Sequence, residues 1–142
     1  MHRASVFIAL AVAGLLAGCS SATDGPVPIA RGTQCNVCGM GIQNMRYACE
    51  RSATDGMHMY DSIECLLRDS EAKGAAWLAD YDTQALHAVD SMWIVQGDIP
   101  SPMGGGLAAF LERAVADEVA TQTSGVVSSA GVKIHSATGA TS

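Results

Sequence analysis

Clustered positive charge is missing from this 142-residue sequence. Its eight Lys and Arg residues are scattered, from Arg3 to Lys133, against fourteen Asp and Glu, for a formal charge of -6. Nucleic-acid binding draws on a basic patch that neutralises phosphates, so nothing here suits such a partner. Also absent is any apolar run long enough to cross a bilayer as a helix, because the almost wholly apolar stretch from Ala4 to Leu16 is too short. No Ser/His/Asp order, paired carboxylates or phosphate-cradling loop is visible, which points away from an enzyme.

The apolar stretch that is present comes after Met1-His2-Arg3 and reads as a signal peptide over residues 1–18. It closes on Leu16-Ala17-Gly18-Cys19, which matches the bacterial lipoprotein box, so Cys19 is the expected acylated first residue of the mature chain. Several acyl chains on one residue give stable anchoring. Ser20, where an Asp would retain a lipoprotein in the inner membrane, points to the outer membrane and to a periplasm-facing chain. Residues 19–30, rich in Ser, Gly, Pro and Thr, read as a tether. The sixteen residue steps from Cys19 to Cys35 reach at most about 50–60 Å, which keeps a site at Cys35 close to the membrane surface.

At the end of that reach stands Cys35-Asn36-Val37-Cys38-Gly39-Met40, two thiols and a thioether within six residues. Soft sulfur donors select monovalent copper over hard cations. Gly39 leaves the backbone free to turn, so that the sulfurs of Cys38 and Met40 can face one ion. His58 and His87 offer imidazole to complete such a site. Two other readings of the cysteines stand beside this one. In the oxidising periplasm Cys35, Cys38, Cys49 and Cys65 can form two disulfides in three connectivities. Structural zinc usually draws on two close pairs of ligands, and the separation of Cys49 from Cys65 disfavours it.

Periodicity and turn signals predict strands over Arg46–Arg51 and Gly56–Tyr60, joined through Asp55-Gly56 as a hairpin. Asp61 and Glu64 form a capping-box pattern for a helix that ends at Lys73-Gly74, with Ile63, Leu66 and Leu67 on one face and Cys65 off it. Trp77–Tyr81 and Met92–Gln96 read as strands, Leu107–Val119 as a helix, Val126-Val127 as a last strand, and the chain from Ser136 as disordered. Met59, Ile63, Leu66 and Leu67 can be laid on Met103, Leu107, Phe110 and Leu111, either as two copies of one small α+β unit or as the spacing common to helices entering a core.

The order of these motifs resembles the NosL family, accessory lipoproteins of nitrous oxide reductase. The resemblance rests on Cys19, on Cys35–Met40, on Tyr60-Asp61-Ser62-Ile63-Glu64-Cys65-Leu66-Leu67, on Asp80-Tyr81-Asp82-Thr83, and on Ser101-Pro102-Met103-Gly104-Gly105-Gly106 running into Leu107–Phe110. It implies an α+β fold of two similar ββαβ units, here 31–75 and 76–134 with a tail at 135–142, related to the organomercurial lyase fold. It further implies a periplasmic carrier of copper(I) that serves nitrous oxide reductase, or its membrane-bound maturation complex. The family's copper ligands fall on Cys38 and Met40, with Met103, Cys35 and His58 as further candidates. Cys49 and a shorter segment after Met40 depart from the family pattern. The same residues leave two alternatives open: a thiol-dependent enzyme of organomercurial-lyase type using the cysteines and Asp61, and a structural lipoprotein stapled by disulfides.

Overall fold

The computed structural model describes residues 25–139; the signal peptide, Cys19 and the start of the tether lie outside them. Two strands, β1 (Cys49–Ala53) and β2 (Gly56–Tyr60), pair as the expected antiparallel hairpin, in register from Cys49 opposite Tyr60 to Ala53 opposite Gly56. Its first strand starts later than the sequence suggested. Met45–Tyr47 form a 3-10 turn instead, because the Asn44 side chain accepts a hydrogen bond from the Arg46 N–H and holds the chain curled.

Helix α1 (Ile63–Arg68) is capped by Ser62, whose Oγ accepts from the Cys65 N–H at 3.3 Å, not by Asp61. The helix also ends at Arg68 rather than at Lys73. Asp69 turns the chain there: its carboxylate accepts from the Glu71 and Ala72 N–H groups and from the Tyr60 hydroxyl. Strands β3 (Ala76–Ala79) and β4 (Leu86–Ala88) complete a first sheet in the order β2-β1-β3-β4. Since β3 pairs with β1 and β4 with β3, this sheet runs on past the division at residue 75 drawn from sequence.

The second unit contains β5 (Trp93–Gln96), β6 (Leu107–Phe110), α2 (Arg113–Gln122) and β7 (Val126–Ser129), with the sheet ordered β6-β5-β7. The helix expected from Leu107 is therefore corrected to a strand followed by a helix. Leu107 to Phe110 are all buried, and a short run buried on both faces gives no alternation to distinguish strand from helix. Helix α3 (Ala130–Ala137) likewise replaces the start of the expected disordered tail. The second unit thus reads ββαβ and the first ββαβ with β4 added at its edge, both antiparallel throughout, with β1 between β2 and β3 and β5 between β6 and β7. The matching of Met59–Leu67 to Met103–Leu111 is not the structural correspondence, because the first stretch enters a helix and the second a strand.

Sheet two has cover on both faces. Ile94 and Ala109 face a core shared with Cys49, Tyr60, Ile63, Leu66, Leu78 and Ile134, whereas Val95, Ala108 and Phe110 face a second core with Ala116 and Ala120 of α2. Complete burial of Leu66 or Ile94 stabilises by about 1.5–3 kcal/mol each. Asp80 ties the units together by accepting from the Leu111 N–H at 3.0 Å, from the Thr83 N–H and from the Thr83 hydroxyl. Burial alone would raise its pKa, but these donors outweigh it and lower the value.

Candidate metal centre

The Cys35–Met40 turn sits on the free edge of sheet one. The Asn36 N–H donates to the Met59 carbonyl at 2.9 Å and its side-chain oxygen accepts from the Met59 N–H at 2.8 Å, so the turn is pinned to β2 through both backbone groups of one residue. Within the turn the Gly39 N–H donates to the Cys35 carbonyl and the Cys35 N–H to the Met40 carbonyl, at 2.9 and 2.8 Å. Gly39 has φ +74° with open space where a Cβ would stand, so glycine is required for backbone conformation and not for room.

The turn places Cys35 and Cys38 against the junction of β2 with α1, which supplies Asp61 and Cys65. One donor atom from each of these four residues lies within 4.8 Å of all the others. Cys35, Asp61 and Cys65 are buried and Cys38 is partly exposed, so the cluster is closed on its inner side and open at one thiol. The Cys38 thiol donates to Asp61 Oδ2 at 3.5 Å, while Asp61 Oδ1 is buried with no hydrogen-bond partner. That carboxylate oxygen and the three thiols beside it are therefore available as ligands to a cation. All four cysteines in the described residues are free thiols.

Burial pushes the Cys38 pKa up even though the Met40 N–H is directed at its sulfur, and burial together with the Asp61 contact pushes Cys65 well above the ordinary thiol value. A metal binding there must therefore displace the protons of Cys38 and Cys65.

The other candidates sort by position. Met40 is half-exposed, and its side of the turn lines a cavity of about 300 Å³ together with Asp61, Gln43, Pro100 and Pro102. Met103, next to Pro102, packs half-buried against the same core as Cys38. His58 is corrected out of the ligand set: Asp69 Oδ2 at 2.8 Å and Asp55 Oδ1 at 3.0 Å occupy its two ring nitrogens. His87, on β4, and Cys49, whose thiol donates to the Tyr47 carbonyl, also lie outside the cluster. Reading for close cysteine pairs misses Asp61 and Cys65. The signal available was their place on either side of the Ser62 cap, where the end of β2 meets the first turn of α1.

No protein-family profile matches the sequence, and none of the curated proteins does. Among solved structures, the copper chaperone NosL from Shewanella denitrificans superposes with a TM-score of 0.63 over 73% of this chain and 91% of its own, at 16% identity. The likeness is one of fold. On that NosL-like fold, this chain carries three thiols and a carboxylate arranged so that they can hold a metal ion.

Proposed function

We propose that the protein is a copper(I) carrier: it binds the ion as cargo at Cys35, Cys38 and Cys65, with Met40 at the rim, and hands it on without catalysing a reaction. The observation that carries this reading is the convergence of three thiols at one half-open point on a fold shared with a copper chaperone. Three sulfur donors suit monovalent copper. The opening at Cys38 and the half-exposed Met40 let an acceptor's thiolate or thioether enter the coordination sphere while one of the carrier's sulfurs leaves, so copper moves by ligand exchange and is never free. In the same reading the chain is periplasm-facing and held to the outer membrane through acylated Cys19, and its acceptor is nitrous oxide reductase or the membrane-bound complex that matures it.

Competition against a chromophoric chelator tests the proposal. The reduced protein should take up about one copper(I) per chain, Cys38→Ser should weaken binding at least about tenfold and Met40→Ala less, and Cys49→Ala should leave it unchanged. Unchanged affinity in Cys38→Ser would remove the assignment. The contact between Cys38 and Asp61 favours one second reading, in which Asp61 passes a proton to carbon while thiolates take mercury from an organomercurial. Hydrocarbon release from such a compound, lost in Asp61→Ala, would establish it over simple carriage.

A further inference from the structure

We propose that the strap of residues 25–30, with the sheet face beneath it, is the surface this chain turns toward lipid headgroups, so that the metal cluster opens away from the bilayer. This rests on the reading of Cys19 as the acylated anchor and deepens it, from where the chain is held to how it is oriented. Three observations carry it. First, the strap is clamped. The Val27 N–H donates to Glu50 Oε1 at 2.7 Å, and Glu50, on the central strand β1, is fully buried with Oε2 unpartnered among the described residues. A buried carboxylate with a single donor holds that donor firmly, because losing it leaves the group without any partner. Pro26 and Pro28 have no N–H and keep Gly25 and Val27 extended, so Val27 is the one donor among residues 26–28. Half-buried Val27 and Ile29 alternate with exposed Pro26, Pro28 and Ala30, as in an extended segment laid on a surface.

Second, the clamp and the cluster lie on opposite faces of sheet one. The register puts Glu50 with Met59 and Trp77 on one face, and Cys49 with Tyr60 and Leu78 on the other. Cys35 and Cys65 share the core of that second set, and the cavity beside Met40 is walled by Pro100 and Pro102 of the other unit. Third, little chain separates the anchor from the clamp. The eight residue steps from Cys19 to Val27 reach at most about 26–29 Å. A domain the size of residues 25–139 has a radius of gyration of about 13 Å, hence a diameter of about 34 Å. That tether is too short to pass around the fold, so the face carrying the strap stays toward the lipid. Freed from Glu50, the chain is next held at Gly32, whose N–H donates to the Ile42 carbonyl; thirteen steps reach about 43–47 Å, and the fold can then turn over. The strap also bears no charged side chain in a chain of net charge -6, which limits its repulsion from anionic headgroups.

The two tryptophans report the orientation. Trp77 lies on the strap's side of sheet one, whereas Trp93 packs against the core that α2 covers, on the far side of sheet two. The test places the full acylated chain in vesicles of phosphatidylethanolamine and phosphatidylglycerol containing a lipid with a nitroxide on its headgroup, and reads fluorescence quenching. Trp77, alone in Trp93→Phe, should be quenched several-fold more strongly than Trp93, alone in Trp77→Phe. Glu50→Ala should bring the two close to equality. So should an insertion of about ten Gly and Ser residues after Ser20, which lengthens the tether without touching the fold and decides the matter if Glu50→Ala does not fold. Equal quenching without these changes, stronger quenching of Trp93, or a difference that survives the insertion would overturn the inference while leaving the anchor standing. A Val27 amide that exchanges hydrogen as fast as a free chain would overturn it as well. A chain that does not float with the vesicles would instead remove the anchor reading, and this inference with it.

Discussion

His58 offers the sharpest contrast between what a residue type suggests and what its surroundings permit. An imidazole near a sulfur motif invites a metal role, but here it bridges Asp69 and Asp55, and Asp69 in turn gathers Tyr60 and two backbone N–H groups. The group is a structural clamp at the end of α1. The hydrogen bond to Asp69, and then that to Asp55, raise the His58 pKa above 6.5 against the opposing effect of burial. Burial would raise Asp69, but His58, Glu71, Tyr60 and Ala72 lower it below its ordinary 3.8. The charged His58 therefore contributes fully below about pH 6.5 and its contribution is lost as pH rises through the raised value; Asp69 contributes above about pH 4 and is lost on acidification. Urea-unfolding midpoints measured across pH should peak between about pH 4 and 6.5, and His58→Gln should flatten the decline on the alkaline side. A variant profile that tracks the unaltered protein would show that the clamp adds nothing.

Elements were legible where a turn residue or a period marked them. Asp55-Gly56 announced the hairpin, and the apolar residues of Met92–Gln96 announced β5. Leu107–Phe110 failed because full burial on both faces erases the period, and α1 came out too long because Asp69, which ends it by accepting from the Glu71 and Ala72 N–H groups, is held in place by His58 and Tyr60 of β2, which the local pattern does not show. The Cys35–Met40 turn was legible as a ligand motif but not in its placement, since it depends on Asn36 meeting Met59, 23 residues away. Asn36→Ala removes the side-chain half of that pin and should cost about 1 kcal/mol of local order. Copper(I) should then dissociate several-fold faster in stopped-flow transfer to a chelator, with the thiol count unchanged. An unaltered rate would show that the turn holds its shape without the edge of β2.

At the scale of the whole molecule, the two units divide the labour: the first supplies all four donors of the cluster, and the second brings Pro100 and Pro102 to the cavity that Met40 and Asp61 line. The pair of units was legible through the family resemblance and not through the Met59 and Met103 alignment, and the pairing of β1 with β3, which carries sheet one past residue 75, leaves no local mark in the sequence. In the proposed reading, a carrier held by Cys19 would meet only acceptors that come to its membrane, and the net charge of -6 would favour a basic docking face in a salt-dependent way. Cys19→Ala should accordingly keep copper affinity but lower copper-enzyme maturation in cells; full maturation at normal expression would show that tethering is dispensable. The central claim, that three buried or half-buried thiols converge on one copper ion, is tested most directly by copper-edge X-ray absorption on the copper(I)-loaded protein. The account predicts a first shell of sulfur alone that loses one sulfur in Cys65→Ser, the ligand that only the fold brings to the site. A shell of nitrogen or oxygen, or a sulfur count that Cys65→Ser leaves untouched, would contradict it.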